Sequence, residues 1–255
     1  MKNMKRPLIF ITNDDSFRSK GIKLLIDIMR KFGDVVVVAP TNEQSGKSHA
    51  ITVNDPLRYH KIEEMEGYKA YVCNGTPVDC VKIAFNIIFK EIKPDLVVSG
   101  INHGSNASIN TIYSGTMAAV FEGCAENISS IGFSVDCHSL DADFTHCITS
   151  IEKITKDVLE NGLDENVCLN VNFPASEMKG LKVCHQAKAY WNEDFLERKD
   201  PMGHSYYWLT GVYNCQDENP GADYNVLKEG YGAITPMQVD FTAYQVIDKY
   251  KKRFE

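Results

Sequence analysis

The chain has 255 residues, 44% of them apolar and 24% charged, with a formal charge of −7. That length supports a sizeable core, as one large α/β domain or a domain with an appendage, and the composition excludes long disorder. The acidic balance argues against a DNA-binding surface, and no apolar run is long enough to span a membrane. An anionic substrate would need a local positive site against this field, such as a metal or a helix N-terminus. The basic start, residues 1–6, precedes too short an apolar stretch for a signal peptide. The eight cysteines include no C-x-x-C pair and several sit in apolar segments, so buried, reduced thiols and a cytoplasmic enzyme are expected.

In chain order, the run Leu8-Ile-Phe-Ile-Thr12 reads as a fully buried strand that ends in Asn13, Asp14 and Asp15. Residues 21–31 carry apolar side chains at helical spacing, closed by Gly33, and 35–39 form a second buried strand stopped by Pro40. Strand, helix and strand make a right-handed βαβ unit, so the polar loop 41–48 leaves the sheet on the same edge as Asp14 and Asp15. Residues 51–73 alternate and read as short antiparallel strands in a hairpin-like excursion. A helix starts with Thr76 as N-cap, Pro77 in the first turn and Asp79 at its positive end, and runs to about residue 89.

Residues 95–99 form a third strand that leads into a loop with Asn102, His103 and Asn106. Ser114, Gly115 and Thr116 open another helix; 130–134 is a strand, 141–161 a helix and 167–172 a strand. This alternation predicts a Rossmann-like, doubly wound, mostly parallel sheet with helices on both faces. After Pro174 the pattern changes to strand-like pieces at 181–184, 205–212 and 232–235, with turns at 199–203 and 217–221. The aromatic cluster at Tyr206, Tyr207 and Trp208 suggests an extended arm that packs on a partner, and 242–253 reads as an amphipathic helix ending in cations. The expected divisions are a core at 1–190, an arm at 191–230, and a terminal strand and helix at 231–255 exchanged between subunits.

Three loops thus share one sheet edge, the edge where open α/β sheets bind ligands. They offer Asp14, Asp15, Ser45, Asn102 and Asn106, an oxygen set suited to Mg²⁺, Mn²⁺ or Ca²⁺ rather than zinc. The helix opening at Ser114, Gly115 and Thr116 supplies free N–H groups for a phosphate-sized anion. A divalent cation beside such a site is the equipment of a phosphohydrolase. Each element also has a plainer use: Asn13 to Asp15 as a turn, Ser45 as a loop serine, Asn102 and Asn106 as backbone caps, Ser114 and Thr116 as helix caps. His103 is a solvated loop histidine or a general acid. No P-loop is present, and no G-x-G-x-x-G follows the first strand.

The motifs Ile11-Thr-Asn-Asp-Asp15, Val37-Val-Ala-Pro-Thr-Asn-Glu-Gln-Ser-Gly46, Asn74-Gly-Thr-Pro-Val-Asp-Cys-Val81, Pro94-Asp-Leu-Val-Val-Ser-Gly-Ile-Asn-His-Gly-Ser-Asn106 and Tyr113-Ser-Gly-Thr116 closely resemble the SurE (survival protein E) 5′-nucleotidases. The resemblance continues through Pro201–Leu209, Asp223–Leu227 and Gly230–Met237, and so covers nearly the whole chain. It implies a metal-dependent phosphatase for nucleoside monophosphates, extending to 3′-nucleotides and polyphosphate, that forms a homodimer or homotetramer by exchanging C-terminal elements. Carried over by position, Asp14, Asp15, Ser45 and Asn102 hold one divalent metal ion per subunit. Asn106, Ser114, Gly115 and Thr116 bind the phosphate, with Asn13 and Asn102 beside the substrate. Asp14 and Asp15 are the catalytic residues; the nucleophile is either water or one of their carboxylates. Ser16 stands where the family commonly has glycine, and residues 17–20 are more basic than usual, which touches substrate preference more than chemistry. Two rival readings stay open: a phosphatase for a non-nucleotide phosphoester, and a nucleotide- or metal-binding module without turnover.

Overall fold

The computed structural model describes residues 6–139 and 141–255; the basic start at residues 1–5 lies outside them. In chain order the strands and helices are β1 (Leu8–Thr12), α1 (Lys20–Met29), β2 (Asp34–Pro40), β3 (Tyr59–Met65), β4 (Tyr68–Cys73) and α2 (Pro77–Ile83). They continue with β5 (Leu96–His103), α3 (Gly115–Ala125), β6 (Ser130–Val135), α4 (Ile148–Asn161) and β7 (Val167–Phe173). The last are β8 (Leu181–Val183), β9 (Ala189–Lys199), β10 (Ser205–Cys215), α5 (Asp223–Lys228), β11 (Gly232–Gln238) and α6 (Ile247–Phe254).

Nine strands form one sheet in the order β3-β4-β2-β1-β5-β6-β7-β11-β8. From β4 to β7 the neighbours run parallel, so the loops after β1, β2, β5 and β6 emerge on one edge. The apolar run of β1 explains its central place. Ile9, Phe10 and Ile11 are all fully buried, as a strand covered on both faces requires. Alternation sends Ile9 and Ile11 to the face packed by Leu25 of α1 and Ile151 of α4, and Phe10 to the face packed by Cys80 and Val81 of α2. The expected doubly wound architecture is therefore present.

Local signals account for the element starts. Thr76 accepts the Asp79 N–H while Asp79 accepts the Thr76 N–H, a reciprocal cap, with Pro77 in the first turn. Ser19 caps α1 by accepting the Ile22 N–H. Gly33 is placed by crowding rather than by a left-handed helix end: a Cβ there would stand 2.2 Å from the Pro7 carbonyl oxygen.

Four expectations change. The strands at 51–73 are confined to β3 and β4, because Thr52 spends its N–H and hydroxyl on Asp79 at 3.0 and 2.6 Å instead of on a ladder. That hairpin is no excursion, since β4 joins β2 in parallel and extends the main sheet. The helix placed at 141–161 begins only at Ile148, after a 3₁₀ turn at Thr145–Cys147. Asp143 accepts the Thr145 N–H at 2.8 Å, a local bond that competes with an earlier start. The terminal helix is likewise shorter, Ile247–Phe254, with Lys251, Lys252 and Arg253 in its last turn.

β9 and β10 pair over eleven residues and join no other strand. Phe195, Tyr207, Trp208 and Leu209 stand exposed on this hairpin, and α6 buries none of its residues. Among the described residues no helix is long and apolar enough to cross a membrane, and all eight cysteines are free.

Candidate active site

The carboxyl end of β1 is where chemistry-bearing residues gather. Asp14 is 4% exposed, and the opening turn of α3 packs directly on it. Thr116 donates its hydroxyl hydrogen to Asp14 Oδ1 at 2.5 Å. A Cβ on Gly115 would come within 2.8 Å of the Asp14 Cβ, so only glycine lets the helix seat this closely. Ser114 is the N-cap and accepts the Met117 N–H at 3.0 Å. The remaining N–H groups of that first turn have no intrahelical acceptor and carry the positive end of the dipole. Burial, followed by the charge of Asp15, pushes the Asp14 carboxyl from 3.8 up to about 6, against the Thr116 hydrogen bond that lowers it.

Asp15 faces the other way. Its Oδ2 accepts the His103 N–H at 3.1 Å and lies 3.0 Å from His103 Nδ1. His103 is thus no solvated loop histidine; its side chain is mostly covered and sets its ring against the edge of Phe144. The turn between is braced by Asn13, whose Nδ2 donates to Ser16 O at 2.9 Å and Ser19 Oγ at 3.0 Å. Ser16 adopts φ +74°, the left-handed region that favours glycine.

The loop after β2 is tied to the pair by the Gln44 N–H, which donates to Asp14 O at 2.8 Å. This brings Ser45 to a cleft of about 400 Å³ that it lines with Asp15, Ser16, Arg18, His103 and His138. A larger cavity of about 720 Å³, between Leu8, Asp34, Tyr68 and Ile88, opens at the amino ends of the strands and contains none of these groups. The smaller cleft is the one at the chemically equipped edge. On β5, Asn102 donates Nδ2 to Gly104 O at 2.9 Å, which leaves its Oδ1 as a free acceptor. Asn106 is drawn toward β6 and β7: its Nδ2 donates to Ser134 Oγ at 2.8 Å and its N–H to Asn172 Oδ1 at 2.7 Å.

The donor set fits a hard divalent cation. Two adjacent carboxylates, Asp14 buried and resisting ionisation and Asp15 partly buried, call for positive charge, and neutral oxygens of Ser45 and Asn102 stand at the same edge. Asn13 Oδ1, in the same turn as the pair, is buried without a protein partner and is a further oxygen donor at this strand end. Among the described residues no three His, Cys, Asp or Glu side chains cluster to hold a metal, so a cation here would need neutral oxygens to complete its shell.

The structure therefore sets Gly115 and Thr116 against Asp14, and places Ser45 with Asp15 and His103 on the neighbouring cleft. Asn13 is spent as a brace, Ser114 as a cap, and the Thr116 hydroxyl on Asp14. Sequence reasoning missed the His103–Asp15 contact and the amides Asn170 and Asn172. The signal for the latter was two polar residues on one face of an otherwise apolar strand, both fully buried.

Comparison with known proteins agrees with this architecture. The family described as Survival protein SurE matches residues 9–193. The chain is 51% identical to the 5′-nucleotidase SurE of Christiangramia forsetii over 250 residues, covering 96% of each chain. It is 50% identical to the 5′-nucleotidase SurE of Flavobacterium psychrophilum, again with 96% of each covered. The crystal structure of the SurE protein from Aquifex aeolicus superposes with a TM-score of 0.84 at 35% identity, covering 98% of this chain and 100% of that one. With half of all positions shared along nearly the entire length, the chain belongs to the SurE family.

Proposed function

We propose that this protein is a 5′-nucleotidase that uses one divalent metal ion per subunit to hydrolyse nucleoside monophosphates to nucleoside and phosphate. The observation that carries the reading is the seating of α3 on Asp14. It sets a helix N-terminus suited to phosphate beside a carboxylate pair suited to a cation. The names of the relatives point the same way.

Asp14, Asp15, Ser45 and Asn102 hold the ion, Mg²⁺ or Mn²⁺, with Ca²⁺ able to occupy the site. A bound cation would withdraw charge from a phosphoryl oxygen and lower the pKa of a water beside it, the nucleophile being either that water or one Asp carboxylate. The chain's own part is positional. The first-turn N–H groups of α3, at Gly115 and Thr116, hold the phosphate oxygens, and Asn106 steadies them from the β5 loop. Thr116 fixes which oxygen of Asp14 is free, and His103 does the same for Asp15.

3′-Nucleotides and polyphosphate belong to the same substrate range, since the phosphate end of the site is built and the cleft is open. The exposed aromatics of the β9–β10 hairpin and the uncovered α6 support a homodimer or homotetramer formed through the arm and the terminal segment 231–255. Eight free thiols support a reducing, cytoplasmic location.

Phosphate release measured across 5′- and 3′-nucleotides, sugar phosphates and polyphosphate, with and without EDTA, tests the reading. EDTA-sensitive hydrolysis of 5′-nucleotides is the expected result. A preference for sugar phosphates makes it a non-nucleotide phosphatase, and no release from any substrate makes it a binding module.

A further inference from the structure

We infer that Asn170, Asn172 and Thr111 are positioning residues that set the geometry of Asn106; the inference rests on the phosphate reading of that residue. Asn170 and Asn172 lie on β7, two apart, and are fully buried at the carboxyl edge of the sheet. They bind the main chain of Asn106 on both sides. Asn172 Oδ1 accepts its N–H at 2.7 Å, and Asn170 Nδ2 donates to its carbonyl at 2.8 Å. The Thr111 hydroxyl donates to the same carbonyl at 2.7 Å and accepts from Asn170 Nδ2 at 3.1 Å.

The circuit is closed. Asn172 Nδ2 donates to Asn170 Oδ1 at 2.8 Å, so neither amide can turn over without breaking two bonds. The Asn106 side chain is fixed in turn by donating one Nδ2 hydrogen to Ser134 Oγ at 2.8 Å. Its Oδ1 and second amide hydrogen take no part in the circuit. Packing alone would be met by apolar residues, as Val171 and Phe173 meet it on the same strand. An amide network in which every buried side-chain N and O has a partner instead favours one loop geometry, because a shift leaves buried donors and acceptors unpaired. The far end of the loop is held separately, Ser108 N–H donating to the buried carboxylate of Asp223 at 2.7 Å.

The test compares Thr111→Val, which keeps the shape and deletes the hydroxyl, with Thr111→Ser, which keeps the hydroxyl. Inorganic phosphate affinity by calorimetry, KM and kcat on a nucleoside monophosphate, Mn²⁺ affinity and thermal midpoint are measured on each. Thr111→Val is expected to weaken phosphate binding and raise KM by about tenfold, with Mn²⁺ affinity within about twofold of wild type; Thr111→Ser stays within about threefold on every measure. Asn172→Asp, which keeps the acceptor for Asn106 but sets a second acceptor against Asn170, is expected to act like Thr111→Val and replaces it if that variant does not fold. A variant that melts lower yet keeps wild-type phosphate affinity and KM overturns the inference and leaves the nucleotidase reading standing. A wild-type protein that neither binds phosphate nor hydrolyses nucleotides overturns that reading, and this inference with it.

Discussion

Thr116 donates its hydroxyl to Asp14 across 102 positions of sequence, and this 2.5 Å bond locks the start of α3 onto the end of β1. The bond leaves one carboxylate oxygen of Asp14 for other use and opposes the upward push of burial on its pKa. Thr116→Val removes that opposition, so the Asp14 carboxyl climbs above about 6 and protons compete better with metal. Mn²⁺ affinity near neutral pH is expected to fall by about tenfold, with Thr116→Ser close to wild type. Calorimetric titration checks it; equal affinity in Thr116→Val and wild type would show that the bond is only structural.

The same carboxyl gives a stability signature. Its folded pKa of about 6 lies above its ordinary 3.8, so the folded protein holds the proton more tightly. Its contribution to stability is then complete below pH 3.8 and is lost as pH rises through about 6. Metal-free Asp14→Asn, which has no charge to bury, is expected to be more stable than metal-free wild type at pH 8 by about 1–3 kcal/mol, the gap closing toward pH 4. Denaturant unfolding of both proteins in EDTA measures that gap. An Asn variant less stable than wild type at pH 8 contradicts it.

Ser16 holds φ +74° in the turn that carries Asp14 and Asp15. A left-handed serine costs about 1 kcal/mol, while its Oγ recovers a little by accepting the Arg18 N–H at 3.3 Å. Ser16→Gly is therefore expected to raise stability by about 0.5 kcal/mol without loss of turnover. A fall in thermal midpoint would place more weight on the Ser16 hydroxyl than its one bond suggests.

Gly115 allows no side chain. A Cβ there would meet the Asp14 Cβ at 2.8 Å, Asp14 Oδ2 at 3.1 Å and Pro77 Cγ at 3.1 Å. Gly115→Ala must push α3 off the carboxylate, and turnover is expected to fall by at least about tenfold for a stability loss of about 1–3 kcal/mol. Wild-type turnover in this variant would mean that the close seating of the helix has no part in catalysis.

What could be read in the sequence was whatever local chemistry determines. The apolar run of β1, the Thr76–Pro77–Asp79 helix start and the Ser114 cap each declare themselves within a few residues. That the central strands run parallel followed from their alternation with helices. What stayed hidden depends on contacts far apart in the chain. Alternation at Ile51 and Val53 looked like a strand because the bonds from Thr52 to Asp79 lie 27 positions away. β9 buries almost none of its residues and carries no apolar stripe, and α5 is too short to show a period. Candidate site residues were legible as types on a shared edge, but not their division of labour. Asn13 turned out to be a brace, and His103 a partner of Asp15, only once the strands had brought them together.

The central claim, that Asp14 and Asp15 hold a divalent ion for nucleotide hydrolysis, is tested most directly by phosphate release from a 5′-nucleoside monophosphate. Wild type, Asp14→Asn and Asp15→Asn are stripped with EDTA and then supplied with Mg²⁺ or Mn²⁺. Wild type is expected to lose activity on stripping and regain it with metal, while both variants stay below about 1% of that rate despite an intact fold. Near-normal turnover in either variant, or wild-type activity that ignores EDTA, would contradict the account.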